Sequence, residues 1–200
     1  MPFRHNLFTA LKNKMGRQRA LFAAIIGLAC FAGANISAAP LTLVAQGKST
    51  YSIVVPAVAA VSVNDAAAEM QRDIEEATGA KLPIRKDNEA VNGPFISLGA
   101  TGQARKAGLS TDKIGYDGFR LATQNNNLFI IGIDTTAEFS QWKNQTPGKV
   151  VLHPEVPGPA YTDKGGFSNG TANGVYTFLE EQLGVRWLFP GELGRDVPTR

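Results

Sequence analysis

The stretch that most constrains how this chain can fold is residues 170–191, GTANGVYTFLEEQLGVRWLFPG. Its apolar residues recur at helical spacing, which predicts a helix with one buried face, and the polar residues 180–182 cover the opposite side. Gly184 stands where helices commonly end in a left-handed residue. Residues 185–189 then predict a short buried strand, which a Pro-Gly pair ends. The buried stripe of the helix comprises Val175, Phe178, Leu179 and Leu183.

This stretch follows the pattern G-x-x-x-G-V-Y-x-F-L-E-x-x-L-G-V-R-W-L-x-P-G-E-L-G. The pattern resembles the closing motif of an α+β domain that precedes glycoside hydrolase barrels, as in the N-terminal domain of alpha-glucuronidases and the second domain of bacterial beta-hexosaminidases. The resemblance extends over about residues 41–200 and is most specific in the terminal motif. One departure is Asn173, where the family usually has an aromatic residue.

The resemblance implies a partner and a substrate class. In these families a downstream (β/α)8 catalytic domain carries the catalytic carboxylates, and a polysaccharide or oligosaccharide is the substrate. Because this chain stops where the barrel would begin, we expect the catalytic barrel to be absent from it. The resemblance therefore implies an accessory domain without catalytic residues of its own.

Residues 1–38 have the features of a secretory signal peptide. Five basic residues and no acidic residue accompany an apolar run over 20–34, which is short for a membrane span. A small-residue cleavage site ends at Ala38, so the mature domain is expected to cover residues 39–200. We therefore predict a periplasmic or secreted protein with no stable membrane span after cleavage. An uncleaved N-terminal anchor is the alternative.

The leader also determines what the charge of the chain means. The whole chain has 20 Lys and Arg against 17 Asp and Glu, a net charge of +3. The leader holds five of the basic residues, so residues 39–200 carry 15 basic and 17 acidic groups, or −2. This charge argues against nucleic-acid binding. The only cysteine, Cys30, lies in the leader and His153 is the only later histidine, so we predict no metal site and no cofactor.

The middle of the chain predicts an α+β fold, with a mixed, mostly antiparallel sheet and two main helices on one of its faces. Residues 41–45 and 51–55 are expected to form a hairpin. Residues 119–123 and 128–133 are expected to form a second antiparallel pair. This architecture agrees with the domain that the resemblance implies, the second domain of beta-hexosaminidases.

A helix is predicted over residues 62–78, with Ser62, Asn64 or Asp65 as its cap and Gly79 as its end. The segment 82–84 contains a proline, which places it at an edge of the sheet because proline cannot donate to an interior ladder. The predicted buried face of the helix comprises Ala67, Met70, Ile74 and Ala77. Its predicted solvent face comprises Glu69, Arg72, Asp73, Glu75 and Glu76.

A glycine-rich turn, residues 99–102, follows the apolar strand 95–98 and precedes a short predicted helix. One interpretation is a phosphate-binding loop, because a helix N-terminus can hold an anion. The turn lacks the spacing of the dinucleotide and P-loop patterns, so we favour a tight strand-to-helix turn.

A long insert rich in proline and glycine, about residues 134–169, interrupts the family pattern. A loop of this length without a clear period is either functional or poorly ordered. Its aromatic residues could extend a carbohydrate-binding surface or hold the insert to the domain. The aromatic residues and the histidine of the insert are Trp142, His153, Tyr161 and Phe167.

Arg186 and Trp187 are the candidate substrate-binding residues. Tryptophan can stack on a pyranose ring and arginine can pair with a sugar carboxylate. The alternative, which we favour, is that Trp187 fills the core or the barrel interface. No catalytic residue is predicted, because glycoside hydrolysis needs two carboxyl groups about 5–9 Å apart across the scissile bond. Glu180 and Glu181 are neighbours on a helix that point in different directions.

These observations predict an exported accessory domain of a glycoside hydrolase, either alpha-glucuronidase-like or hexosaminidase-like. Such a domain is expected to expose an apolar patch at Leu188, Phe189 and Pro190, where the barrel would dock. The alternatives are a stand-alone glycan-binding module and an inactive truncated product.

Overall fold

The computed structural model describes residues 41–139, 150–152, 155–156, 158–159 and 167–199. At its centre is a five-stranded sheet with the strand order β2-β1-β3-β5-β4. The strands are β1 (Ser52–Val55), β2 (Ile84–Lys86), β3 (Phe95–Leu98), β4 (Phe119–Gln124) and β5 (Asn127–Gly132).

Most pairings in this sheet are parallel. β1 is parallel to both β2 and β3, and β3 is parallel to β5. Only β4 runs antiparallel to its neighbour β5, which confirms the antiparallel pair predicted for residues 119–123 and 128–133. The prediction of a mostly antiparallel sheet was wrong. Its strands pack against helices on both faces and are therefore continuously apolar, as β1 is buried along its whole length.

The predicted hairpin of residues 41–45 and 51–55 does not form. The chain instead makes a tight turn earlier, closed by mutual backbone hydrogen bonds of 2.9 and 3.0 Å between Ala45 and Lys48. β1 forms its ladder with β2 and β3. β2 lies at an edge of the sheet, which confirms the edge position predicted from Pro83.

Helix α1 (Val61–Thr78) packs on the sheet and ends at Gly79, whose φ of 76° is the predicted left-handed conformation. Two predictions for this helix were wrong. Its N-cap is Ala60, and no side chain caps it. Asp73, expected on the solvent face, is fully buried because the C-terminal segment of the chain covers it. The predicted apolar face is confirmed, since Ala67, Met70, Ile74 and Ala77 are all buried.

Helix α3 (Gly170–Phe178) continues as one π-helical turn, Leu179–Leu183, and stops at Gly184 in the left-handed conformation with a φ of 83°. α3 packs beside α1, and both helices contribute to the apolar core that contains Leu179. The prediction of two main helices on one face is therefore confirmed. The short helix α2 (Gly102–Lys106) lies on the other face, packed against side chains of β5.

Two glycines bring the end of β5 and the start of α3 into direct backbone contact. A Cβ atom at Gly132 would overlap the backbone of Gly170, and a Cβ atom at Gly170 would overlap the carbonyl oxygen of Gly118. At Gly174 it would lie 2.6 Å from Cγ2 of Ile130. The G-x-x-x-G start of the terminal motif thus allows α3 to lie directly on β4 and β5.

Part of the predicted insert lies within the described residues. There β6 (Ala137–Phe139) and β7 (Val150–Leu152) form a separate antiparallel pair. The predicted leader 1–38 with Cys30, and the insert residues Trp142, His153 and Tyr161, fall outside the described residues. None of the helices within the described ranges has the length and apolar character that a bilayer crossing requires.

The chain after α3 forms a small hairpin in place of the longer buried strand predicted for residues 185–189. β8 (Arg186–Trp187) pairs antiparallel with β9 (Arg195–Asp196), and a single 3₁₀ turn, Glu192–Gly194, lies between them. Val185 is buried, whereas the residues that follow it up to Gly191 are exposed. The prediction of a buried strand was therefore wrong beyond its first residue.

Candidate functional site

The sheet has one position where neighbouring parallel strands send their connections to opposite sides. From β1 the chain crosses through α1 to β2, whereas from β3 it crosses through α2 towards β4 and β5. In open α/β sheets, ligands bind in the crevice at the carboxyl ends of such strands. A cavity of about 550 Å³, the carboxyl-edge cavity, lies there. Residues that follow β1, β3 and β5 line it, among them Ala57, Val58, Gly99, Ala100, Ile133 and Asp134.

Asp87, which directly follows β2, joins two elements at this edge. Its Oδ1 accepts the N–H of Ala57 at 2.8 Å, and its Oδ2 accepts the N–H of Gly102 at 2.8 Å. Gly102 is the first residue of α2, so the carboxylate occupies the position at a helix N-terminus that an anionic ligand would take. Nη2 of Arg105 lies 4.0 Å from Oδ2 of Asp87. The chain's own carboxylate therefore neutralises this end of α2.

The glycine-rich segment 99–102 is a tight strand-to-helix turn, which confirms the interpretation that we favoured. Gly99 has a φ of 76°, and Thr101 caps α2 by accepting the N–H of Ala104 on Oγ1 at 3.0 Å. The N–H groups of Gly102 and Ala104 at the start of α2 are thus satisfied by Asp87 and Thr101. This geometry disfavours the phosphate-loop interpretation, because those donors are already engaged.

Asp134 lies two residues after β5 and holds the N-terminus of α3. Its Oδ1 accepts the N–H of Thr171 at 2.9 Å, and its Oδ2 accepts the Thr171 hydroxyl at 2.5 Å. The same hydroxyl accepts the N–H of Gly132 at 3.0 Å. Burial raises the pKa of Asp134 from its ordinary value of 3.8 to about 6, against the opposing effect of the two hydrogen bonds from Thr171. The carboxyl group therefore changes charge close to neutral pH.

This pKa predicts how stability varies with pH. The folded state holds the proton of Asp134 more tightly than the unfolded state, with a pKa of about 6 against 3.8. Its contribution is therefore fully present below about pH 4 and is lost as the pH rises through about 6. At about 1.4 kcal/mol per pH unit, the loss is about 3 kcal/mol. We expect Asp134→Asn to abolish this loss of stability between pH 4 and 7.5.

Urea unfolding of both chains between pH 4 and 7.5 measures this effect. Asp112→Asn, which alters an exposed carboxyl group, is the matched control and should keep the pH dependence of the wild type. Burial also raises the pKa of Asp73, so part of the wild-type dependence should survive in the Asp134→Asn chain. Parallel pH curves for the wild type and Asp134→Asn would show that Asp134 is not the responsible group.

The two predicted substrate-binding residues point to different surroundings. Nη1 of Arg186 pairs with Oε1 of Glu180 at 2.8 Å, and both side chains are more than half exposed. The Trp187 ring is 36 % exposed and meets the Tyr176 ring edge to face, with centroids 5.2 Å apart. Trp187 borders a second cavity of about 530 Å³, and the charged residues that line this cavity are Glu69, Arg72 and Arg195. Sugar contact by Arg186 and Trp187 stays a prediction.

Next to Trp187, several apolar side chains face solvent. The exposed fractions are 72 % for Leu188, 54 % for Phe189 and 93 % for Leu193. Pro190 is exposed as well, so the predicted exposure of residues 188–190 is confirmed. Contiguous exposed apolar residues of this size commonly mark an interaction surface. We call Trp187, Leu188, Phe189, Pro190 and Leu193 the C-terminal apolar surface.

An ion-pair network centred on the buried Asp73 holds this surface to α1. Nη1 of Arg195 lies 2.7 Å from Oδ1 of Asp73, and Nη2 lies 2.7 Å from Oε2 of Glu76. Nε of Arg72 approaches the same Oδ1 of Asp73 at 3.4 Å. Burial raises the pKa of Asp73, while Arg195 and Arg72 lower it. The network fixes β9, and with it the hairpin that carries the C-terminal apolar surface.

A second contact reinforces this arrangement. The Tyr176 hydroxyl donates to Oε2 of Glu69 at 2.9 Å, so the ring that supports Trp187 is itself held to α1. Burial, together with the negative charge of Glu69, raises the pKa of Tyr176 well above its ordinary value. The tyrosine is therefore protonated at neutral pH and acts as the donor.

The structure tests the metal prediction only in part. Across the described residues, no group of three or more His, Cys, Asp or Glu side chains could hold a metal ion. His153 lies outside those residues. Asp87 and Asp134 were not singled out from the sequence, although each follows a strand whose carboxyl end borders the cavity. Comparison with known proteins found neither a matching family model nor a matching curated protein.

Proposed function

We propose that this chain is an exported accessory domain of a carbohydrate-active glycoside hydrolase, and that it packs against a (β/α)8 catalytic barrel encoded downstream. The observation that carries the proposal is the C-terminal apolar surface, which exposes Leu188, Phe189 and Leu193. It lies within the terminal motif that resembles the alpha-glucuronidase and beta-hexosaminidase domains. A surface of this kind is unfavourable in water and becomes favourable once another domain covers it.

The geometry suits docking of a folded domain. Arg195 fixes the hairpin to α1 through Asp73 and Glu76, so the surface is already ordered before a partner arrives. Preorganisation of this kind lowers the entropy loss on association. Burying one large apolar side chain contributes about 1.5–3 kcal/mol, so the exposed residues together can supply a substantial part of the docking free energy.

The test begins with the DNA downstream of Arg200, which should encode a barrel in frame. Residues 39–200 and that barrel are then produced as separate chains and mixed, and sedimentation velocity measures complex formation. We expect Leu188→Ser with Phe189→Ser to weaken the complex strongly. Leu121→Ser, on the partly exposed edge strand β4, is the matched control and should leave it intact. A double variant that binds as well as the wild type would exclude this surface as the interface.

A specific observation also favours a second candidate, a glycan-binding module. The cavity beside Trp187 combines an aromatic ring with the charged side chains of Glu69 and Arg72, a combination that suits a sugar. If the isolated monomer bound oligosaccharides, and Trp187→Ala removed that binding without altering the fold, this second function would replace the first. In either case we expect residues 39–200 alone to hydrolyse no aryl glycoside.

A further inference from the structure

The carboxyl-edge cavity is bordered by one carboxyl group, that of Asp134, beside which the described residues place no cationic side chain. Asp87 has two backbone N–H groups and lies 4.0 Å from Arg105. Asp134 has only the N–H and hydroxyl of Thr171, and no lysine or arginine nitrogen lies within 4.0 Å of it in the described part of the chain. Buried charges in proteins are normally paired, so an ionised Asp134 beside a cavity favours a cation from outside.

The remaining walls define what else the ligand should contain. Val58, Val63, Ile133 and Val156 present aliphatic side chains to the cavity. The N-termini of α2 and α3 at this edge already hold the carboxylates of Asp87 and Asp134, which would repel a phosphate or carboxylate there. A volume of about 550 Å³ is within the usual range for small-molecule sites.

We propose that the carboxyl-edge cavity binds a small organic cation, a primary amine with a short apolar tail, whose ammonium group pairs with Asp134. The ammonium donates to the carboxylate oxygens from the cavity side, while Thr171 keeps its two hydrogen bonds to them. The aliphatic walls bury the tail. This site is separate from the C-terminal apolar surface, and its occupancy does not depend on the docking of a catalytic barrel.

Three probes with the same carbon chain test the charge preference. n-Butylamine, butyrate and 1-butanol are titrated into residues 39–200 at pH 7.5, and the backbone amide NMR signals of Gly99, Gly132 and Ile133 report binding. We expect saturable shifts with n-butylamine and about tenfold weaker binding of 1-butanol, because charge-assisted hydrogen bonds are the stronger ones. The N-terminus of α1 also borders the cavity and would favour an anion, so tighter binding of butyrate would overturn the proposal.

Variants identify the responsible group. Asp134→Asn retains the shape of the side chain and should bind n-butylamine about tenfold more weakly. Glu89→Gln, an exposed carboxyl group outside the cavity, should bind it like the wild type. Titration of n-butylamine into the wild-type chain at pH 5 tests the role of Asp134 without a substitution. Of the ionisable side chains that line the cavity, Asp87, Arg105 and Asp134, it is Asp134 whose protonation should release the amine. Unchanged affinity at pH 5 or in Asp134→Asn, or no shifts with any probe, would refute the site.

Discussion

Replacing Gly132 with alanine is expected to prevent stable folding. The added Cβ atom would overlap the backbone of Gly170, and neither segment can move away without breaking β5 or α3. Overpacking against a side chain commonly costs about 1–3 kcal/mol, and overlap with backbone atoms is harder to relieve. We therefore expect a loss of more than about 4 kcal/mol, which approaches the whole stability of an ordinary domain.

Circular dichroism and urea unfolding of residues 39–200 measure this loss. Gly115→Ala is the matched control, because a Cβ atom there meets no heavy atom within 4 Å and Gly115 does not have a positive φ. It should change the free energy of unfolding by less than about 0.5 kcal/mol. A Gly132→Ala chain that unfolds at the wild-type midpoint would show that α3 does not lie as close to β5 as the structure places it.

The contact between Gly132 and Gly170 illustrates the difference between features that the sequence could predict and features that it could not. Gly79 and Gly184 stop their helices for local reasons, since a left-handed residue is needed there and glycine supplies it without strain. The G-x-x-x-G spacing was used to recognise the terminal motif, but its purpose is tertiary. Gly132 and Gly170 are far apart in sequence, and only the fold shows that the backbone at Gly170 leaves no room for a side chain at Gly132.

The larger error was the prediction of strand direction, and because of it the sequence did not predict the carboxyl-edge cavity. β1 and β3 are short and apolar on both faces, so their sequences do not distinguish parallel from antiparallel neighbours. Carboxyl ends of strands meet at one edge only where strands are parallel. In the mostly antiparallel sheet that the sequence predicted, the loops that carry Asp87 and Asp134 would not be expected to meet at one edge. The crossover helix between β1 and β2, which the sequence did show, was the signal for a parallel pair.

At the C-terminal end too, one prediction was confirmed and another feature was not predicted, because it depends on tertiary contacts. Exposure of Leu188 and Phe189 was predicted from the expected docking of a barrel at the end of the motif, and the structure confirms the exposure. The burial of Asp73 could not be foreseen, because it lies among the polar positions of an amphipathic helix. Only the return of the chain through β9 brings Arg195 to it, from a position that no local pattern indicates.

Arg195→Ala is the second substitution with a large expected effect. Among the described residues, it leaves the fully buried carboxylate of Asp73 with the more distant Arg72 as its remaining cationic partner. Removing one member of a buried ion pair typically costs about 3–5 kcal/mol, and the contact with Arg72 places this site near the lower limit. Urea unfolding should therefore show a loss of about 3 kcal/mol, together with weaker docking through the released hairpin.

Two further variants separate the buried pair from a general effect of losing an arginine. Arg186→Ala removes an exposed pair on the other strand of the same hairpin and should cost less than about 1 kcal/mol, because solvent screens that interaction. Combining Arg195→Ala with Asp73→Leu removes the stranded charge and should recover much of the lost stability, since apolar replacement of a buried pair is often neutral. If the double variant were no more stable than Arg195→Ala alone, the loss would come from the hairpin's packing and not from the uncompensated carboxylate.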